Sequence, residues 1–162
     1  MKESIGNTLI LNIVIVFVIV FIGLFVTSIT YSKGYKVKNR MIEIIEKKYP
    51  TCGSDIDDCN KSIMNQIELE LNKIGYRGAY GNYSKQTCEN HLKIPENVDY
   101  SVKFSDKYQV CFALINTKGR DNNPYVYYAV NAYMYLDLPV IGDRLQIPVR
   151  GESKTFIPGL TS

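Results

Sequence analysis

The chain holds a single histidine, His91, and no tryptophan. With one imidazole there is no second ring for a metal pair or a relay, and no Ser or Cys nucleophile motif accompanies it. The "GES" at 151–153 lacks the flanking glycine pattern of a nucleophile elbow. We therefore read the chain as a non-enzyme and His91 as a surface or hydrogen-bonded loop residue. A broad basic surface is missing too: 19 Lys and Arg face 16 Asp and Glu, and four of the positives, Lys33, Lys36, Lys38 and Arg40, sit together. Without that cluster the rest is close to neutral, so no nucleic-acid partner is expected. Metal sites fare no better. There is no zinc-type Cys-x2-Cys pair. "SDIDDCN" begins like a calcium loop, but Asn60 stands where the sixth-position Gly is required and Gln66 where the bidentate Glu belongs. Asp55, Asp57 and Asp58 are read instead as carboxylates at a helix start, with Asp58 or Asn60 as its cap. No cofactor and no small-molecule substrate is evident.

What the sequence does have is one long aliphatic run. From Leu9 to Val26, 16 of 18 residues are Leu, Ile, Val or Phe. At the per-residue insertion energies of such side chains, the run favours a bilayer by roughly 5 to 10 kcal/mol. It is too long for the core of a cleaved signal peptide, and no Ala-x-Ala site follows it. We expect a retained transmembrane helix over 9–30 behind a short leader or cytosolic tail at 1–8. Tyr31, Tyr35, Ile42, Ile45 and Tyr49 then continue at helical spacing, so the helix should run on over 31–49 until Pro50 and Gly53 stop it. From Leu9 to Lys48 that makes a rod of about 60 Å.

Which side of the membrane carries the remainder, 50–162, is contested by two features. Four basic residues after the span and only Lys2 before it favour a cytosolic domain. Cys52, Cys59, Cys88 and Cys111 form an even set beyond the span, which reads as two disulfides and an oxidising compartment; four buried thiols are the other possibility. Among three connectivities we take the sequence-local one, Cys52 with Cys59 and Cys88 with Cys111. We place the domain outside, as a single-pass cell-membrane protein with its carboxyl-terminal domain extracytoplasmic.

The domain reads as α+β. A second helix presents Ile63, Ile67, Leu71 and Ile74 and ends at Gly75; an irregular stretch runs from Tyr76 to about Pro95. Then the period becomes two. Val110, Phe112 and Leu114 alternate, as do Val126, Tyr128, Val130, Ala132, Met134, Leu136 and Leu138, and after "PVIGDR" Leu145, Ile147 and Val149, with Pro148 marking an edge. "RGESKTF" adds a turn and short strand. The expectation is an antiparallel sheet of three or four strands covered on its aliphatic face by the long and the second helix.

Two surfaces stand out as interfaces. Asn12 is the one strongly polar side chain in the apolar run, and Gly23 with Thr27 has small-xxx-small spacing; both suit packing against another helix. On the opposite face of the long strand lie Tyr125, Tyr127, Tyr133 and Tyr135, which fit either a partner surface or the strand preference of Tyr.

A retained amino-terminal span running on as an amphipathic helix, followed by a small antiparallel sheet, resembles type IV pilin-like proteins. The stretch "YVYYAVNAYMYLDLPVIGDRLQIPVRGESKTF" is similar to TadE-like components of tight-adherence pili, which close with a strand, a Pro-containing turn and a G-E-[ST]-K segment. The likeness implies a structural or assembly component of a bacterial cell-envelope filament or secretion system, stacked on other pilin-like subunits or assembly proteins through its amino-terminal helix. Gly6 would match the glycine of a pilin leader, whereas the fifth position after it, Glu in pilins, is Leu11, and Asn12 is next. The competing class is a single-pass anchored extracytoplasmic binding or sensory module that uses the helix only as anchor and stalk.

Overall fold

A computed structural model of the chain describes residues 2–52, 55–76, 83–119, 122–136 and 145–157. The first element, α1 (Lys2–Lys48), is one unbroken helix of 47 residues, about 70 Å long by the helical rise per residue. It gives way to a 3-10 turn, Tyr49–Thr51, in which Pro50 cannot supply the N–H a further α-helical bond would need. The continuous rod is therefore as the periodicity suggested. Gly53 lies outside the described residues.

The face that α1 buries agrees with the expected one at its carboxyl-terminal end, where Ile45 is buried and Ile42 and Tyr49 pack against the core, and departs from it at the two tyrosines. Gly34, Val37, Met41, Ile44 and Ile45 are buried, while Tyr31 and Tyr35 remain 60% and 48% exposed. The true stripe is rotated by roughly one residue from the one the tyrosines mark. Gly34 explains the shift. A Cβ there would fall inside the van der Waals envelope of Met134 Cγ and Sδ and 3.3 Å from Val149 Cγ2, so only a glycine lets the helix lie this close to the sheet. A residue without a side chain is invisible to an apolar count, and the large tyrosines beside it set the wrong phase.

Helix α2 (Ile56–Lys73) starts earlier than expected, because Asp55 rather than Asp58 or Asn60 is its N-cap: one carboxylate oxygen accepts from the N–H groups of Asp57 and Asp58. Ile63, Ile67 and Leu71 are buried with Met64, whereas Ile74 is 50% exposed. The helix closes as a Schellman motif. Gly75 takes φ +67°, its N–H reaches Asn72 O, and the Tyr76 N–H reaches Leu71 O.

The stretch read as irregular contains a third helix, α3 (Lys85–Leu92), capped by the Ser84 hydroxyl, which accepts from the Thr87 N–H. Two i, i+4 anchors, Cys88 and Leu92, are all it buries, too few to register as a period. The sheet has four strands in the order β1-β2-β3-β4, every neighbour antiparallel: β1 (Asp99–Ser105), β2 (Val110–Lys118), β3 (Pro124–Leu136) and β4 (Leu145–Glu152). β1 had no expectation attached, and β4 with its exposed Pro148 is an edge. The final strand reduces to one bridge, Phe156 with Val126, closed by hydrogen bonds of 2.7 and 2.8 Å. Leu138 lies outside the described residues.

Both faces of the sheet are covered. α1 and α2 lie over Val110, Phe112, Leu114, Val126, Tyr128, Val130 and Ala132. α3 lies over Cys111, Ala113, Ile115, Ala129 and Tyr133, with Val102 and Phe104 from β1. The architecture is thus α+β with the helices split between two sides. Burial on both faces is why β2 is apolar without a break from Val110 to Ile115 and β3 nearly so. β1 instead turns Ser105 and Lys103 toward α2, where the Ser105 hydroxyl donates to Glu68 and Lys103 pairs with Asp57 at 3.0 Å.

Candidate functional site

The residues flagged in the sequence fall into three places. The four cysteines form two disulfides, Cys52–Cys59 and Cys88–Cys111. The first staples the end of α1 to the first turn of α2. The second ties α3 to the middle of the sheet, with both half-cystines fully buried. The acidic cluster is committed locally: Asp55 caps α2, Asp57 meets Lys103, and Asp58 meets Lys61 at 3.1 Å. The Lys103 ammonium holds the Asp57 carboxyl below its ordinary range. An open groove of about 580 Å³ is lined by the committed Asp55 and Asp57 together with Ile56, Ser101, Leu114 and Asn116. Among the described residues no cluster of three His, Cys, Asp or Glu side chains is placed to hold a metal.

Of the four tyrosines on the tyrosine face of β3, one is internal. Tyr133 is 1% exposed; its ring lies 4.4 Å from that of Tyr83, and its hydroxyl is 2.9 Å from His91 Nδ1. It cannot offer a partner surface, because Tyr83 and α3 cover it. Tyr125 and Tyr127 are half-buried, and the side chain of Tyr135 lies outside what is described, although its backbone pairs with Gln146. His91 is thereby a packing and hydrogen-bonding residue of α3. Tyr76 completes this corner. Beyond the last β2–β3 pair, Cys111 with Asn131, its hydroxyl donates to Tyr133 O at 2.8 Å and accepts from the Tyr133 N–H at 3.3 Å. Burial pushes the Tyr76 and Tyr133 hydroxyls up to about 12.

Two asparagines prove to be buried, Asn60, which the sequence offers as a possible cap, and Asn131, to which it gives no role. Asn60 is fully buried and accepts from the Tyr128 hydroxyl at 2.9 Å, which bolts the start of α2 to the centre of β3. Asn131 is fully buried beside the Cys88–Cys111 bridge, its amide 3.7 Å from Cys88 Sγ. A polar residue on a strand position that alternates with tyrosines carries no signal that it is covered.

Among the described residues the amino-terminal part of α1 is a large apolar surface left bare. Its most apolar 18-residue window has a mean hydropathy of 3.3 and no buried residue, so the helix is long and apolar enough to cross a membrane. Every side chain from Leu9 to Phe25 that is large and apolar is 46 to 68% exposed. On this surface Asn12 is exposed, Gly23 has nothing within 4 Å of where a Cβ would be, and the Thr27 hydroxyl donates to Gly23 O at 2.8 Å. The last contact satisfies the one threonine hydroxyl of the Gly23–Thr27 pair inside its own helix and leaves the Gly23 notch open. Beyond the bare part, Arg40 bridges Glu43 at 2.6 Å and Glu70 at 3.1 Å, binding α1 to α2.

No family model matches the chain, and no curated protein and no solved structure matches it. The likeness to TadE-like proteins therefore rests on the sequence features given above.

Proposed function

We propose that the chain is a single-pass, membrane-anchored structural or assembly component of a bacterial cell-envelope filament or secretion system, pilin-like in plan and TadE-like at its end, with its disulfide-bonded domain outside the cytoplasm. The observation that carries the reading is the division of α1. One helix without a break is bare and apolar in its first half and forms the spine of a two-disulfide domain in its second. Such a rod transmits a contact made in the bilayer directly to the domain. In lipid, the exposed Asn12 amide gains about 0.6 to 2 kcal/mol by bonding to a neighbouring helix, and the Gly23 notch lets that helix come close.

The test is site-directed cross-linking in membranes, with Asn12→Leu and Gly23→Leu as the perturbations. Loss of helix–helix products while both disulfides still form supports stacking through α1. Unchanged products would sink it and leave an anchored binding or sensory module. Thiol labelling of intact cells reads the orientation independently: cysteines that react only after lysis, and without reductant, would reverse it.

A further inference from the structure

Just past the apolar run, α1 carries three lysines with no acid beside them among the described residues. Arg40 and Lys47 are held by Glu43, and Lys48 donates to the Ser62 hydroxyl. Lys33, Lys36 and Lys38 have no carboxylate partner among the described residues, and Lys33 and Lys36 are exposed. Beside them Tyr31 and Tyr35 are stacked with ring centroids 6.4 Å apart, and the Lys38 ammonium lies 3.8 Å over the Tyr35 ring. These side chains form one collar of unneutralised positive charge and exposed amphipathic rings. Its height on the rod is fixed. The apolar segment needs about 20 residues to cross the hydrocarbon, so Tyr31 is the first side chain past a span ending near Thr30. The domain's first buried position, Gly34, comes less than one helical turn later. No stalk separates the two.

We propose that the Tyr31–Lys38 collar is a binding site for anionic phospholipid headgroups, which seats the folded domain directly on the membrane surface. The proposal rests on α1 as a span but not on stacking between chains. The occupant follows from chemistry: lysine ammonium groups without acids take phosphodiester oxygens, and tyrosines with an apolar body and a hydroxyl tip settle at headgroup depth. Continuity with the apolar segment places the site at headgroup depth.

The experiment uses the full chain in nanodiscs holding one copy each, made from equal parts of zwitterionic and anionic phospholipid, with co-retained lipid quantified by native mass spectrometry after mild extraction. Wild type is expected to retain anionic lipid in excess. The variant K33Q/K36Q/K38Q should lose that excess by about fivefold or more. The variant K47Q/K61Q, which removes two exposed lysines already paired with acids, should keep it. Near-ultraviolet circular dichroism and intact disulfides certify that each variant is folded. Equal anionic retention in wild type and the triple variant would overturn the proposal, as would an equal loss in K47Q/K61Q. Displacement of the lipid by excess inorganic phosphate would also overturn it, by showing a site for free anions. Because each disc holds one chain, none of these results depends on whether Asn12 stacks against a neighbour.

Discussion

Gly34→Ala puts a methyl group where α1 crosses the sheet most closely. On helix propensity alone the change should stabilise by about 1 kcal/mol. The packing opposes it: the new Cβ would overlap Cγ and Sδ of Met134, which is 4% exposed and has no solvent to swing into. The overlap lies in the middle of the methionine side chain rather than at its free end. Over-packing of that kind costs about 1 to 3 kcal/mol. The net expectation is therefore a loss of up to about 2 kcal/mol, and more for Gly34→Val, whose branch also restricts χ1.

The assay is thermal unfolding in detergent followed by near-ultraviolet circular dichroism, for which the 13 tyrosines supply the signal. Each kcal/mol should lower the midpoint by roughly 3 to 6 °C. Gly23→Ala is the control. Nothing lies within 4 Å of its Cβ position, so the domain's midpoint should not move. Met134→Ala alone should destabilise by about 2 to 5 kcal/mol through the cavity it leaves. Combined with Gly34→Ala it should destabilise by less than the sum, because the new methyl enters the vacated space. Additive losses, or a Gly34→Ala protein more stable than wild type, would refute the idea that this glycine sets the helix–sheet distance.

Removing the bridges should separate them by loop length: about 3.4 kcal/mol for Cys88→Ala with Cys111→Ala, closing 23 residues of separation, and about 2.5 kcal/mol for Cys52→Ala with Cys59→Ala, closing 7. Denaturant midpoints of the two double variants check the order, and equal losses would contradict it. Alkaline stability should follow Tyr76 and Tyr133. Their folded values near 12 lie above the ordinary 10, so the folded state keeps protons that the unfolded state releases. The stabilisation is complete below about pH 10 and is lost as pH rises toward 12, on the order of 2 to 3 kcal/mol for Tyr76. Tyrosinate absorbance should lag behind that of free tyrosine in this window, and a titration indistinguishable from exposed tyrosine would refute the buried placement.

Much of the fold is legible because apolar spacing is read against rigid periods. Leu9 to Val26, Ile63 to Leu71 and Val110 to Leu114 each announce an element of the right kind. What escaped has physical causes in common. Gly34 and Asp55 act through the absence of a side chain and through a capping oxygen, neither of which adds to a hydrophobic count. α3 is held by a disulfide and one leucine, so its stability is tertiary and its sequence is nearly all polar. β1 mixes Lys103 and Ser105 with Val102 and Phe104 because one of its faces meets the polar flank of α2. The tyrosine face was the hardest to judge: with α3 unseen, Tyr133 looked like surface.

The disulfides also bear on the conflict between charge and cysteines that the sequence leaves open. In a reducing compartment both bridges would open, forfeiting about 6 kcal/mol by the same loop-closure reasoning. Small domains have only about 5 to 15 kcal/mol in all. A domain with one 7-residue and one 23-residue separation closed this way depends on oxidation for a large share of its stability. The opposing term is of another kind, because the positive-inside bias acts on charges that must be carried across during insertion. On the proposed orientation and with the proposed headgroup site, Lys33, Lys36 and Lys38 lie against anionic headgroups rather than in a low-dielectric interior. Their retention outside is then a transfer barrier met once. The loss of both bridges inside would be a standing one.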